Sequence, residues 1–377
     1  MSNKMTVSFY GHVRQYHNLK ADIDKAISDV LESGSYVMGP TLDRFEKELA
    51  AYFGTKHAIG LNSGTDALWL PLMAMGIGEG DEVITTTNTF FATAEAAWIA
   101  GCKVVFVDSE RKTNNIDVTK IEAAITSKTK AIIPVHLYGQ CAEMDKIRAI
   151  ADKHGLRIIE DCAQAIDARG DTFKIGELSD AVGTSFIIQK NLGTFGDSGA
   201  MMTNDDHIAS EVKRLRNHGS VARSKHSYGF NSRLDDLHAG ILSVKLKHIT
   251  KWTDRRREIA GMYTAALQGC GLQLPYEMPG YRHAFHLYVV ETPQAAQRDQ
   301  LQGFLNAEGV DAKNHYPIAI HEQDGYPWGK EAAICGSVAN SEANAATCIS
   351  LPMFPELTQD EIDYTIEKTL TWCKANL

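Results

Sequence analysis

Between residues 57 and 203, short β-branched runs alternate with amphipathic segments, and this rhythm constrains the fold of the 377-residue chain more than any other feature. Apolar runs predict strands at 57–61, 82–86, 103–107, 131–135, 157–160, 181–186 and 200–203. Helical spacing fills most of the early gaps, at 66–75, 92–100, 119–125 and 144–154. Strands that are apolar throughout and separated by helices belong in a mostly parallel sheet covered on both faces. The expectation is therefore an α/β fold: a mostly parallel, seven-stranded sheet with helices on both sides.

Two further helices, at 22–33 and 42–52, precede the sheet and flank a turn at Gly39-Pro40. From Leu234 a continuous helical period runs through Ile249 and into 255–259. A strand at 286–290 and a helix at 298–308 follow. This change divides the chain into a large domain, 1–250, with its N-terminal helical segment, and a smaller α+β domain, 251–377.

The formal charge of −9 argues against a broad nucleic-acid or anionic-membrane surface, so an anionic ligand needs a local site. Seven scattered cysteines form no CxxC or metal spacing, and they read as reduced thiols of a cytoplasmic protein without a metal centre. No run approaches the about 20 apolar residues that span a bilayer, and Met1 to Val7 lacks the apolar core of a signal peptide.

Chemistry collects at the predicted strand ends. Asn62-Ser63-Gly64-Thr65-Asp66 leaves a strand and opens a helix, where backbone N–H groups and the hydroxyls of Ser63 or Thr65 can meet a phosphate. An ordinary helix cap is the commoner reading of such a turn. Thr86 to Thr93 ends another strand, and Phe90 or Phe91 there could stack on a flat ring or simply fill core. Asp161 follows the apolar run 157–160; it is placed either to hold a pyridine nitrogen protonated or to cap the next segment. Gln164 and Ser185 are polar candidates nearby. Lys190 lies between the run 181–186 and a glycine-rich turn, 29 residues after Asp161. A strand-end lysine with an earlier strand-end aspartate suits a pyridoxal phosphate (PLP) Schiff base, with the lysine holding the aldehyde and the aspartate facing the ring nitrogen.

This ordered set resembles the sugar aminotransferases of the DegT/DnrJ/StrS group, which have the aspartate aminotransferase fold (PLP fold type I). Further blocks in order carry the resemblance: Gly39 to Glu46, Pro134 to Gln140, Gly229-Phe230-Asn231-Ser232-Arg233, His286-Leu287-Tyr288, His315-Tyr316-Pro317 and Ser350 to Pro355. The resemblance implies that Lys190 forms the Schiff base, Asp161 pairs with the ring nitrogen and Gln164 lies near the ring's phenolic oxygen. It makes Phe90 the stacking aromatic and Gly64, Thr65 and Ser185 the phosphate grip. Asn231 is expected to join that grip from a second subunit, which implies a homodimer with shared active sites. The expected activity is ping-pong transamination in a soluble cytoplasmic enzyme, from L-glutamate to an oxo-sugar of amino-sugar or cell-envelope synthesis, with pyridoxamine phosphate formed midway. Related dehydratases carry histidine in place of the lysine, so Lys190 argues against that class. A regulatory or binding role is the other alternative, and the chain shows no basic helix-turn-helix to support it.

Two departures bear on the acceptor: Ile188-Gln189 precedes the lysine, and His238 stands where relatives often carry glutamine. Substrate-side candidates are Gln189, Arg223, Lys225, His315 and Tyr316, with His226, His12 and Arg14 as further diphosphate partners. The expected acceptor is a nucleotide-linked 3- or 4-keto-6-deoxy sugar or an 8-oxo-3,8-dideoxy-manno-octulosonate of lipopolysaccharide synthesis. Arg223 or Lys313 would clamp the carboxylate of the latter.

Overall fold

The structure, a computed structural model, describes residues 4–222, 224–324 and 332–377. Its strands are β1 (His57–Leu61), β2 (Glu82–Thr86), β3 (Lys103–Val107), β4 (Thr129–Ile132), β5 (Arg157–Asp161), β6 (Ala181–Ser185), β7 (Gly199–Thr203), β8 (Tyr288–Glu291), β9 (Ala332–Ile334) and β10 (Cys348–Leu351). Eight of them form one sheet in the order β1-β7-β6-β5-β4-β2-β3-β9. Only β7 runs against the others among the described strands. The sheet therefore has eight strands rather than seven. The added one, β9, lies along β3, and at three residues it is too short for hydrophobic period to reveal.

Alternation explains why these strands are apolar throughout. Successive residues of a strand point to opposite faces. Val83, Val104, Ala131 and Ile159 enter one buried cluster, while their neighbours Ile84, Val105, Ile132 and Ile158 enter the other. Both faces are core, as the parallel-sheet reading requires.

The helical period from Leu234 is interrupted at Lys247-His248, giving helices Asp236–Leu246 and Ile249–Leu267. The first of these anchors the N-terminal helices. Buried Asp236 accepts the N–H groups of Gly39, Thr41 and Leu42 at 2.9, 3.0 and 3.1 Å, capping helix Pro40–Phe53 from a distant part of the chain. A third cluster, with Tyr263, Tyr288, Leu301, Ile349, Ile362 and Trp372, packs helices Ile249–Leu267, Ala295–Ala307 and Gln359–Asn376 around the antiparallel pair β8–β10. Among the described residues, no helix is long and apolar enough to cross a membrane.

Candidate active site

The carboxyl ends of β1, β5 and β6 lie together, and β7 begins among them because it alone is reversed. In register, Gly199 pairs with Leu61 on one side and Ser185 on the other. That row brings the turn after β1 against the end of β6. A Cβ on Gly64 would stand 2.5 Å from Ser185 Cβ, and one on Gly199 would stand 2.2 Å from the Ser63 carbonyl oxygen. Both positions require glycine because the backbones approach so closely.

Helix Asp66–Ala74 starts at this turn. The Ser63 hydroxyl accepts the Asp66 N–H at 3.1 Å, tying the turn to the first helical residue. The N–H groups of Gly64 and Thr65 have no acceptor among the described residues. Two orphan donors at a helix N-terminus, with the Ser185 side chain beside them, make a site for an anion.

Asp161, at the end of β5, is 6% exposed. Its carboxylate accepts the Thr93 hydroxyl at 2.7 Å and the Ala163 N–H at 3.1 Å. Buried Gln164 uses both ends of its amide: the carbonyl accepts the Tyr138 N–H at 2.7 Å, and the NH2 group donates to the Tyr316 hydroxyl at 2.7 Å. The two phenylalanines after β2 part company. Phe91 packs against the core, whereas Phe90 is 55% exposed and tilts over Tyr316 with ring centroids 5.7 Å apart. An aromatic face left open at a strand end is a stacking surface.

Lys190 sits in a tight turn after β6, its N–H bonded to the Ile187 carbonyl at 2.9 Å. Its amine has no hydrogen-bond partner among the described residues. Burial lowers its pKa to about 8, against the pull of the Asp161 charge. The imidazoles nearby are driven the same way: burial, reinforced by Lys190, holds His286 well below its ordinary value and His315 at about 4. An amine whose pKa burial brings toward neutral pH thus lies near the Asp161 carboxylate, in a site with neutral imidazoles.

Of the substrate-side candidates, His315 and Tyr316 stand at this site, and His315 Nδ1 lies 2.9 Å from the Ser350 hydroxyl. Gln189 is exposed beside the lysine, and Lys225 and His226 are exposed on a surface loop. Arg223 lies outside the described residues. Asn231 is exposed, and its neighbour Ser232 donates to Asp66 at 2.5 Å. Arg14 is committed to Glu361 through two hydrogen bonds, at 2.7 and 2.6 Å. It lines a cleft of about 500 Å³ with His17, Lys251, Trp252 and Arg255, apart from the residues around Lys190. His12 stacks on Tyr10, and Lys313 Nζ lies 3.5 Å from Asp311.

Sequence reasoning gave no role to Thr93, Asn191 or Tyr138. The Tyr138 hydroxyl donates to the His315 carbonyl, and Asn191 bridges His286 and the Ala284 carbonyl at 3.1 and 3.2 Å. The signal available was position alone: Thr93 closes the polar run after β2, and Asn191 follows the lysine.

Taken together, the site offers orphan backbone donors for a phosphate, an open aromatic face for a ring, a buried carboxylate for a ring nitrogen and an unpaired amine for an aldehyde. These groups fit PLP.

Residues 17–370 match the DegT/DnrJ/EryC1/StrS aminotransferase family. A protein of Geobacillus stearothermophilus named pleiotropic regulatory protein is 44% identical, over 97% of this chain and 98% of its own length. The UDP-N-acetyl-3-dehydro-alpha-D-glucosamine 3-aminotransferase of Acidithiobacillus ferrooxidans is 44% identical, over 91% and 92%. Among solved structures, S. venezuelae DesV in complex with a ketimine intermediate superimposes with a TM-score of 0.94 at 41% identity, covering 98% of this chain and 99% of that one. This chain belongs to the DegT/DnrJ/EryC1/StrS aminotransferase family.

Proposed function

We propose that this chain is a PLP-dependent sugar aminotransferase that holds its cofactor on Lys190 and moves an amino group from L-glutamate to the C3 carbonyl of a nucleotide-linked oxo-sugar. The observation that carries the reading is the Lys190 amine near Asp161, without a hydrogen-bond partner and with its pKa lowered to about 8. The bound cofactor would supply an electron sink for the charge left when a proton leaves the donor's α-carbon. Lys190 would take that proton and return it, which its lowered pKa suits near neutral pH. Asp161, oriented by the Thr93 hydroxyl and the Ala163 N–H, would keep the ring nitrogen protonated. Gly64, Thr65 and Ser185 would hold the phosphate, Phe90 would cover the ring, and Gln164 would brace the site through Tyr316. Asn231 would complete the phosphate grip from a second copy in a homodimer.

The C3, nucleotide-linked acceptor is favoured over an octulosonate by the name of the Acidithiobacillus relative. The test is the reverse half-reaction: PLP-loaded protein is mixed with a panel of nucleotide-linked 3-amino and 4-amino sugars and an 8-amino octulosonate, and the formation of pyridoxamine phosphate is followed. Turnover of a 3-amino nucleotide sugar is expected, and conversion of the octulosonate alone would overturn the acceptor. The regulatory name of the Geobacillus relative sets up the competing reading. A protein that PLP cannot colour, and onto which borohydride fixes nothing at Lys190, would support that reading instead.

A further inference from the structure

Lys245 is 1% exposed and forms no ion pair among the described residues, although it lies on the core-facing side of helix Asp236–Leu246. A buried ammonium without a carboxylate partner is costly, and a methionine would fill the space without that penalty. Its one hydrogen bond explains its presence. Lys245 Nζ donates to the Gly193 carbonyl at 2.6 Å and lies over the Phe195 ring, 4.6 Å from the centroid. No backbone donor reaches that carbonyl among the described residues.

Gly193 closes the turn that carries Lys190. A Cβ there would stand 2.6 Å from the Ile188 carbonyl oxygen and 2.8 Å from that of Ile187, and the Lys190 N–H itself bonds to the Ile187 carbonyl. Residues 187–193 therefore fold back on themselves with Lys190 near the tip. The next residue is held from the same helix: the Thr194 hydroxyl lies 2.8 Å from His238 Nδ1, and Gly196 rests against the His238 ring. Helix Asp236–Leu246 thus grips two successive residues of the loop, one from each end of the helix. Its own first turn is fixed by Asp236 on Gly39, Thr41 and Leu42.

We propose that Lys245 and His238 are positioning residues that hold the Lys190 turn closed and keep the Lys190 side chain in its partly buried place. This rests on Lys190 being the cofactor lysine. Neither residue touches the reacting atoms. They act through the Gly193 carbonyl and the Thr194 hydroxyl, whereas the charged and titratable groups facing Lys190 itself are Asp161, His286 and His315. Loosening the turn would expose the side chain further and return the amine toward the proton affinity of a free lysine.

The test uses the full-length, cofactor-free protein labelled with acetic anhydride across a pH series, with Lys190 acetylation read by mass spectrometry. In wild type, labelling should rise with a midpoint near pH 8. In Lys245→Met and His238→Ala the midpoint should move up by at least one pH unit, so that labelling at pH 7 slows about tenfold, while both variants keep a cooperative urea transition. His238→Gln, which can still face Thr194 with a hydrogen-bonding group, should keep the wild-type profile. If Lys245→Met fails to fold, His238→Ala alone decides. Folded variants whose Lys190 profile overlays the wild type would overturn the proposal. Absence of borohydride-fixed PLP on Lys190 in the wild type would sink the cofactor reading instead, and the labelling profile would still report the turn.

Discussion

Lys190 should make the cofactor-free protein less stable than its Lys190→Met variant, by an amount that shrinks as pH rises. Its amine loses a proton near pH 8 in the folded chain and near 10.5 in the unfolded chain. Between those values the unfolded state holds more protons, so this residue's contribution to stability rises with pH through that window, and its full cost is present below pH 8. At about 1.4 kcal/mol for each tenfold change in proton affinity, the cost is on the order of 3 kcal/mol at pH 7. By pH 9.5 the same relation leaves about 1.4 kcal/mol, because the folded lysine has already lost its proton and the pH stands only about one unit below the unfolded value. Methionine has no proton to lose and keeps a long unbranched chain, so any packing difference it brings is the same at every pH.

Urea unfolding of both proteins at pH 7, 8, 9 and 9.5, without PLP, measures the gap directly. All other titrating groups are shared and cancel in the difference. The expected result is a variant more stable by about 3 kcal/mol at pH 7, with about 2 kcal/mol of that advantage gone by pH 9.5. A gap that stays flat across the series, or a wild type that is the more stable at pH 7, would refute the argument that burial depresses this lysine.

Three other perturbations test separate parts of the site. Gly64→Ala places a methyl 2.5 Å from Ser185 Cβ and 3.1 Å from its Cα, so the turn must open; PLP affinity, read by absorbance titration, should fall by about tenfold or more. Thr93→Val removes the hydroxyl donor at 2.7 Å from buried Asp161 while keeping the shape. A lost hydrogen bond to a charged group costs about 1.5–3 kcal/mol, so the urea midpoint should fall accordingly, and the single-turnover rate with L-glutamate should drop about tenfold or more. Unchanged rates would remove Thr93 from the site. Asp236→Ala strands three backbone N–H groups at the start of helix Pro40–Phe53; it should cost about 3 kcal/mol or more of stability in urea, and Asp236→Asn less.

How legible each residue was in the sequence depended on what fixes its role. Asp161, Ser185 and Lys190 were visible because each sits at or just past the end of an apolar run, and in a parallel sheet those ends collect at one edge. Phe90 and Phe91 were indistinguishable as letters; only the packing of Phe91 against the core leaves Phe90 as the open face. Gln164 was visible as a polar residue, but its commitment to Tyr138 and Tyr316 joins segments far apart in sequence. The row of Leu61, Gly199 and Ser185 is a matter of register, which one strand cannot state about another. β9 was hidden by its length. Lys245 was hidden in a different way: within the pattern Leu242, Lys245, Leu246 a lysine reads as a solvated charge interrupting an apolar stripe. Its burial has meaning only once the Gly193 carbonyl is seen opposite. Hydrophobic period therefore locates residues whose role follows from their place on one element, while contacts made across elements leave no periodic trace. Lys190 belongs to both groups. Its place after β6 was legible, but the turn that holds its side chain depends on Lys245 and His238, whose contacts reach it from another helix.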